Sequence, residues 1–278
     1  MFEFSCPVCG MPLKRDSGSL RCPDGHCFDI SKYGYVNLLR SNQSSQKRHG
    51  DDRLMVRSRS DFLEKGYYMP LLDCLCEKVS AFVSDGDAVL DAGCGECWYT
   101  ANIFRSLKQK GINADFAAAD ISKDALRIGA RREKGIACAV AGVNCLPVAD
   151  SYCAAVLNIF APCAGEEFYR ILREGGCLIR AVPLKRHLMG LKESVYEHAY
   201  ENEPENPEIS GFEISDITNV TYTLSLDNAQ DIEALFKMTP YYYKTSREGQ
   251  QRLAALSRLE TEAEFGVITY RKCAKYVE

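Results

Sequence analysis

Hydrophobic and polar positions alternate between residues 85 and 183 in a rhythm typical of strands followed by helices. Short apolar runs predict buried strands, and the segments between them, with apolar residues three or four apart, predict helices. The predicted strands are Ala88–Asp91, Asp115–Asp120, about Ile136–Val140, Ala154–Phe160 and Cys177–Val182, and the predicted helices are Trp98–Lys110, Lys123–Glu133 and Glu166–Leu172. This βαβ repetition predicts an α/β fold with a doubly wound, mostly parallel sheet.

Two amphipathic helices precede this region, and a shorter mixed segment follows it. Helical spacing is found over Leu54–Lys65 and Met69–Val83, and the polar stretch Ser41–Asp52 before them has the composition of a loop. The predicted downstream elements are strands at Thr221–Leu226 and Phe265–Tyr270 and a short helix around Ala229–Lys237. Final strands turned antiparallel would complete the sheet.

The length and composition allow one large domain and a small one. The chain has 278 residues, of which 46% are hydrophobic, and 14 cysteines. Its first residues, MFEFSCPVCG, lack a charged segment followed by an apolar one, and no run approaches the ~18 apolar residues of a membrane span. We therefore expect a reduced, cytoplasmic protein in which the ten cysteines from Cys74 to Cys273 act mostly as small hydrophobic residues.

A glycine loop follows the first predicted strand of the sheet. The segment VLDAGCGE contains Asp91, Gly93 and Gly95, an arrangement typical of nucleotide-like cofactor sites. A dinucleotide fingerprint would have a third glycine at position 98, which is Trp98 here. Backbone approach of a ligand at the two glycines is therefore favoured over pyrophosphate binding.

Residues at the ends of the next strands are candidates for contacts with the same cofactor, because ligands lie at the carboxyl ends of parallel strands. Asp120 ends the second strand, where an acid accepts hydrogen bonds from ribose hydroxyls. It could instead cap the following helix, although Ser122 is also available for that role. Asn144, with Cys145 and Leu146, follows the third strand, where we expect an adenine ring.

Four residues near the start have the spacing of a structural zinc site. Cys6 and Cys9 form C-x2-C, and Cys22 follows with His26 and Cys27 close behind. Spacing alone leaves either His26 or Cys27 as the fourth ligand. A redox C-x-x-C is the alternative, but nothing before it resembles the βαβ unit of thioredoxin.

Charge differs between the two parts of the chain. Residues 1–66 have 11 Lys and Arg against 8 Asp and Glu, a net of +3, whereas the rest has 23 against 30, a net of −7. Basic and aromatic residues are interleaved in the first part, which suits contacts with phosphates and unpaired RNA bases. These residues are Lys47, Arg48, Arg53, Arg57 and Arg59 with Phe28, Tyr33 and Tyr35. A solvated linker face is the alternative.

Several separate motifs resemble one known family. They are CPVC with CPDGH (6–26), FDISKYGYVNLL (28–39), GYYMPL (66–71), VLDAGCGECWYT (89–100), IFAPC (159–163), RHLMGLK (186–192) and MTPYYY (238–243). The glycine loop D-x-G-C-G resembles that of class I S-adenosylmethionine-dependent methyltransferases. The whole set resembles the 23S rRNA (guanine-N1-)methyltransferase family of the RlmA type, zinc-bearing enzymes that modify a hairpin loop in domain II of that rRNA.

This resemblance implies a seven-stranded class I methyltransferase sheet and assigns roles to individual residues. It implies zinc on Cys6, Cys9, Cys22 and His26. The residues expected at the S-adenosylmethionine site are Tyr68, Asp91, Gly93, Gly95, Glu96, Cys97, Trp98, Asp120, Asn144 and His187. Cys97 departs from the family, which has a glycine there, and a side chain at this position can crowd the loop unless its backbone keeps a negative φ.

The activity implied is methyl transfer from S-adenosylmethionine to N1 of a specific guanine in 23S rRNA, with Asn158 and His187 as candidates for guanine contact. N1 lies on the Watson–Crick edge, so the base must be unpaired or extruded. We expect a zinc-binding RNA-recognition domain at residues 1–40, a linker and helices covering the cofactor site at 41–84, and a methyltransferase domain at 85–278, in a dimer sharing one RNA. A small-molecule methyltransferase and a non-catalytic zinc module binding RNA are the alternatives.

Overall fold

The computed structural model describes residues 2–40 and 51–274. The strands are β1 Lys14–Asp16, β2 Ser19–Arg21, β3 Cys27–Asp29, β4 Tyr35–Asn37, β5 Ala88–Ala92, β6 Asp115–Asp120, β7 Ile136–Val140, β8 Cys153–Ile159, β9 Leu172–Pro183, β10 Phe212–Leu226 and β11 Leu259–Lys272. The helices are α1 Arg53–Glu64, α2 Met69–Ser80, α3 Trp98–Gln109, α4 Lys123–Gly129, α5 Gly165–Ile171, α6 Met189–Val195, α7 Ala229–Lys237 and α8 Arg247–Ala254.

One large sheet organises the molecule, in the order β10-β11-β9-β8-β5-β6-β7-β4. The strands from β9 to β4 run parallel to their neighbours, whereas β11 is antiparallel to both β9 and β10. Apolar residues of β5 to β9 are buried on both faces, where helices cover the sheet. The doubly wound, mostly parallel sheet predicted from the sequence is confirmed, and so are its antiparallel final strands.

The sheet has eight strands rather than the seven expected, because the N-terminal segment adds β4 to its edge. Tyr35–Asn37 pairs in parallel with β7, and the Leu38 backbone N–H donates to the Val140 carbonyl at 3.0 Å. This pairing covers backbone groups that β7 would otherwise expose at the sheet edge. A strand of three residues has too few positions for an alternation pattern to be recognised.

The N-terminal segment packs directly on the large sheet domain. Strands β1, β2 and β3 form a small antiparallel sheet beside it. Phe2 and Phe4 are buried, the Phe2 ring meets the Tyr152 ring edge-on, and the Ser5 backbone N–H donates to the Pro147 carbonyl at 2.8 Å. The segment is therefore held against the loop that follows β7.

Some element boundaries differ from the predictions. Helix α4 ends at Gly129 rather than Glu133, and turns follow that bring Arg132 against the Glu96 carbonyl, to which its Nε donates at 2.7 Å. Strands β10 and β11 are far longer than predicted and pair along their whole length. Helices α6 and α8 were not predicted. No helix among the described residues is long and apolar enough to cross a membrane.

Candidate functional site

The glycine loop after β5 contacts the loop after β8 at the carboxyl edge of the sheet. Gly93 has φ +87°, and a Cβ built there would lie 2.3 Å from the Cβ of Ala161. A side chain at this position would therefore collide with the neighbouring loop, and the positive φ also favours glycine. Gly95 has φ +54°, and its backbone N–H donates to Asp120 at 2.8 Å. The loop thus has no side chain at either glycine, and its backbone lies close to Ala161 and to the Arg59 guanidinium.

Asp120 connects the ends of β5 and β6 rather than capping a helix. Besides the Gly95 bond, its carboxylate accepts from the Ser122 N–H at 2.7 Å. Ser122 is the N-cap of α4, accepting from the Ala125 N–H at 3.2 Å. Burial raises the pKa of Asp120 to about 6, and the two backbone hydrogen bonds oppose that rise.

Asp91 is buried at the end of β5 with one oxygen unpaired. Its Oδ2 accepts from the Thr100 hydroxyl at 2.6 Å, whereas Oδ1 has no hydrogen-bond partner among residues 2–40 and 51–274. Burial raises the pKa of this carboxyl to about 8. A buried carboxyl oxygen without a protein partner is suited to bind a positively charged or donating ligand group.

Glu96 and Trp98 are buried at the end of the glycine loop and are held by contacts within the protein. Glu96 is 2% exposed; its carboxylate accepts from the Trp98 N–H at 3.4 Å and pairs with Arg132 at 3.2 Å. Burial raises the pKa of Glu96 to about 7, against the effect of the Arg132 charge. Trp98 begins α3 and is 4% exposed. Both side chains thus have partners within the protein, and their predicted contact with a cofactor stays a prediction.

Cys97 does not have the negative φ that would keep its side chain from crowding the loop. Cys97 has φ +60° as the residue preceding α3, and its side chain is fully buried. Its Sγ lies 2.6 Å from the position of a Cβ built on Gly129 and 3.5 Å from Cys94 Sγ. The thiol therefore points into space that Gly129 leaves free.

Aromatic rings form one wall of the site, here called the aromatic wall and consisting of Tyr68, Tyr99, Phe160, His187, Tyr222 and Phe265. Phe265 is central, with ring centroids 4.9 Å from Tyr68, 5.5 Å from Phe160 and 4.7 Å from His187. The Tyr68 and Tyr99 hydroxyls are buried without a hydrogen-bond partner in the described part of the chain.

Phe160 is the exposed member of this wall. It is 43% exposed and adopts φ +53°, a strained conformation for a bulky residue. Its ring lies 6.3 Å from that of Tyr99. A large ring held at the surface in a strained conformation beside a cofactor-type loop is suited to stacking on a planar ligand.

His187 is buried against the wall as a neutral imidazole. Its Nδ1 accepts from the Glu264 backbone N–H at 3.2 Å, which leaves the proton on Nε2. Burial and then the charge of Lys192 lower the pKa of His187 to about 3. At neutral pH this side chain is a hydrogen-bond donor through Nε2 and a poor base.

The amide nitrogen and oxygen of Asn158 are both hydrogen-bonded to other protein groups. Its amide nitrogen donates to the Ala92 and Pro162 carbonyls, each at 3.2 Å, and its amide oxygen accepts from Arg180 Nε at 3.1 Å. With both N–H groups in use, the predicted direct guanine contact does not fit this side chain. Asn158 instead joins the end of β5 to the loop after β8. Asn144, the predicted adenine contact, is exposed in the loop after β7.

The predicted RNA-contacting residues fall into different environments. Arg53 and Arg57 have side chains 81% and 83% exposed. Tyr35, by contrast, is buried in β4, and Arg59 turns inward with 27% of its side chain exposed. Phe28 is half-buried, and Lys47 and Arg48 lie outside the described residues.

Arg59 lies next to the glycine loop, a position that the sequence did not reveal. It lies on α1, outside the sheet, and its Nη1 is 3.7 Å from the position of a Cβ built on Gly95. From the sequence, Arg59 was grouped with basic residues suited to RNA contacts, with a solvated face as the alternative. The apolar positions Phe62 and Leu63, which turn the helix toward the core, are the signal that could have indicated its direction.

Four side chains near the start form a cluster able to hold a metal ion. Ligand atoms of Cys6, Cys9, Cys22 and His26 all lie within 4.8 Å of one another. Cys22 Sγ is 3.6 Å from Cys9 Sγ and 3.3 Å from His26 Nδ1, near the ~3.8 Å expected between sulfur ligands of tetrahedral zinc. Cys27 is exposed at the start of β3 and is not part of this cluster.

Comparisons with known proteins agree with this architecture. The family described as "RlmA, N-terminal", a zinc ribbon, matches residues 4–47. The 23S rRNA (guanine(748)-N(1))-methyltransferase of Streptomyces fradiae is 36% identical over 193 residues, which are 68% of this chain and 66% of that protein. YxjB of Bacillus subtilis (strain 168), provisionally named a 23S rRNA (guanine-N(1)-)-methyltransferase, is 32% identical over 254 residues, 88% of each chain.

Among solved structures, the geranyl diphosphate C-methyltransferase of Streptomyces coelicolor A3(2) in complex with Mg2+, geranyl-S-thiolodiphosphate and S-adenosyl-L-homocysteine is similar. It has 14% identity and a TM-score of 0.44, over 72% of this chain and 76% of that one. The sequence similarity to YxjB covers 88% of this chain at 32% identity. On that similarity, the chain belongs to the RlmA-type 23S rRNA (guanine-N1-)methyltransferase family.

Proposed function

We propose that this protein transfers the methyl group of S-adenosylmethionine to N1 of an unpaired guanine in a hairpin of 23S rRNA. The observation that carries the proposal is the group of unpaired polar atoms at one edge of the sheet. Asp91 Oδ1 and the hydroxyls of Tyr68 and Tyr99 are buried around the glycine loop without partners among the described residues. A ligand with hydrogen-bonding groups would satisfy them.

The residues of this edge fit S-adenosylmethionine. Gly93 and Gly95 would receive its methionine part, Asp91 would face its ammonium group, and Asp120 would accept hydrogen bonds from its ribose. When bound, the cofactor supplies an electrophilic methyl group on a sulfonium. The aromatic wall excludes water from this region and offers ring faces that favour a positive charge.

The guanine would stack on Phe160, the exposed ring of the wall. The N1 proton passes to solvent water, which leaves negative charge on the guanine keto oxygen, and a fixed donor at that oxygen stabilises this form. N1 then takes the methyl group, and S-adenosylhomocysteine leaves. His187 can supply the donor, because its Nδ1 is occupied by the Glu264 N–H and its Nε2 carries the proton. Asn158 positions the loop that carries Phe160 through its bonds to Ala92 and Pro162.

The zinc ribbon would hold the RNA so that one base reaches the site. Zinc on Cys6, Cys9, Cys22 and His26 would stabilise a module too small for a core of its own. On the surface beside it, the Tyr33 ring lies 4.6 Å from the Arg131 guanidinium and 5.3 Å from Lys32 Nζ. Cations around a half-buried ring suit the phosphates and bases of single-stranded RNA.

The test is methylation of 23S rRNA that lacks this modification. Purified protein with S-adenosylmethionine should produce N1-methylguanosine, identified by mass spectrometry of nuclease digests and located by a primer-extension stop. Phe160→Ala should reduce kcat/KM for RNA by about 10–100-fold, with Phe160→Tyr close to wild type. Cofactor binding without rRNA methylation would favour a small-molecule methyltransferase, and absence of cofactor binding a non-catalytic RNA-binding module. Sedimentation with the hairpin would test the dimer that the family resemblance led us to expect.

A further inference from the structure

Arg59 differs from the other basic residues of α1 in where its charge lies. Arg53 and Arg57 extend into solvent, whereas 27% of the Arg59 side chain is exposed. Its Nη1 lies over the glycine loop, 3.7 Å from where a Cβ of Gly95 would be. A guanidinium is therefore held in the region proposed for the methionine part of the cofactor.

Arg59 has two hydrogen-bond partners in the protein, and a ligand carboxylate could replace one of them. Nη1 donates to the carboxylate of Asp51, and Nη2 donates to the Met238 carbonyl at 3.3 Å. Asp51 is 30% exposed at the side chain, and its backbone carbonyl accepts from Ser122 at 2.9 Å. The Asp51 carboxylate thus occupies the place that a ligand carboxylate would take, and it can turn to solvent when one arrives.

The other arginine near the loop is fully engaged. Arg132 donates from Nε to the Glu96 carbonyl, from Nη1 to Glu64, and from Nη2 to Ser60 and the Glu96 carboxylate. These bonds hold the loop from its outer side. Arg59 has one carbonyl and one exchangeable carboxylate, so it is the better candidate for a charged ligand.

The carboxylate of S-adenosylmethionine needs a cationic partner. S-adenosylmethionine has an α-ammonium and an α-carboxylate at the same carbon, and Asp91 Oδ1 offers a partner for the ammonium. A carboxylate leaving water for a half-buried site needs a cation, and arginine binds carboxylates with two parallel hydrogen bonds. Building on the proposed function, we propose that Arg59 binds the carboxylate of the methionine part of S-adenosylmethionine, replacing its bond to Asp51.

The binding of two ligands that differ only in this carboxylate tests the proposal. S-adenosylhomocysteine has it, and S-adenosyl-3-thiopropylamine, the decarboxylated analogue, retains the amine, thioether and adenosine. Calorimetry should show that Arg59→Ala weakens the first ligand by about 30–100-fold and the second by less than about threefold. Arg59→Lys should give an intermediate loss for S-adenosylhomocysteine. Arg57→Ala, on the exposed face of the same helix, is the control and should leave both affinities unchanged.

Asp51→Asn gives an independent check that does not depend on the stability of the Arg59 variants. Removing the competing carboxylate should raise the affinity for S-adenosylhomocysteine a few-fold and leave that of the decarboxylated analogue unchanged. Equal loss of both ligands in Arg59→Ala and Arg59→Lys, or no change in Asp51→Asn, would overturn the role of Arg59 while leaving the proposed function standing. Wild-type protein that binds neither ligand would overturn both.

Discussion

The packing of Cys97 against Gly129 predicts that these two positions can be exchanged only together. A Cβ on Gly129 would lie 2.6 Å from Cys97 Sγ, 3.2 Å from Cys97 Cβ and 3.1 Å from the Glu96 carbonyl carbon. Gly129→Ala should therefore push the cysteine toward the glycine loop. Cys97→Gly removes two of the three close contacts and restores glycine at a position with φ +60°.

The expected energies follow from these contacts. Overpacking by Gly129→Ala should cost about 1–3 kcal/mol, less a small gain in helix propensity at the end of α4. Cys97→Gly loses burial worth about 1–2 kcal/mol and recovers about 1 kcal/mol from the left-handed backbone. In the double variant the new methyl group fills the space of the sulfur. The two changes should thus be coupled by about 2 kcal/mol in favour of the double variant.

Urea unfolding of the four proteins, under reducing conditions and without cofactor, measures this coupling. The affinity for S-adenosylhomocysteine provides a second readout, because a displaced Cys97 should weaken binding in Gly129→Ala and the double variant should recover it. Additive effects within about 0.5 kcal/mol, with unchanged affinity in the single variant, would show that the sulfur and the glycine do not share this space.

Three further predictions concern the metal cluster and two buried titratable groups. Cys22→Ser should lose bound zinc and lower the unfolding temperature, whereas Cys27→Ser, outside the cluster, should retain one zinc ion per chain by elemental analysis. Burial raises the pKa of Asp91 to about 8, and a ligand ammonium beside it favours the ionised form. The affinity for S-adenosylhomocysteine should therefore rise by up to about tenfold per pH unit from pH 6 to 8 and level off above pH 8. Calorimetry of Asp91→Asn should show no such slope. Burial lowers the pKa of His187 to about 3, so below about pH 6.5 the unfolded chain binds a proton that the folded protein does not. The free energy of unfolding should therefore be greatest above pH 6.5 and fall by up to about 1.4 kcal/mol per pH unit below it. An unaltered slope in His187→Gln would contradict this assignment.

Local sequence patterns predicted those parts of the site that lie within a single continuous segment of the chain. The strand, glycine loop and helix from Ala88 to Gln109 were predicted because apolar runs and glycines encode them directly. The spacing of Cys6, Cys9 and Cys22 likewise predicted a cluster that the structure brings together. The choice between His26 and Cys27 was open from spacing, because adjacent residues are equally near in sequence.

Other features depend on which distant segments meet. The Cys97 side chain fits at its positive φ because Gly129, 32 residues further along, leaves room for it, and a local rule for the loop could not include that contact. Strand β4 forms because the edge of β7 offers backbone partners to a segment about 100 residues earlier. The inward turn of Arg59 follows from its bonds to Asp51 and Met238.

The sequence by itself determined the class of sheet, the position of the glycine loop and the three cysteines of the Cys/His cluster, because each depends on residue types at short, regular spacing. The family followed from several motifs distributed along the chain. Only the tertiary structure decided which side chains face the site. It engaged Asn158 with backbone carbonyls, made His187 a neutral donor, left Asp91 with an unpaired oxygen, and brought Arg59 over the glycine loop. Burial and hydrogen bonding set these properties, and both depend on neighbours that are far away in the chain.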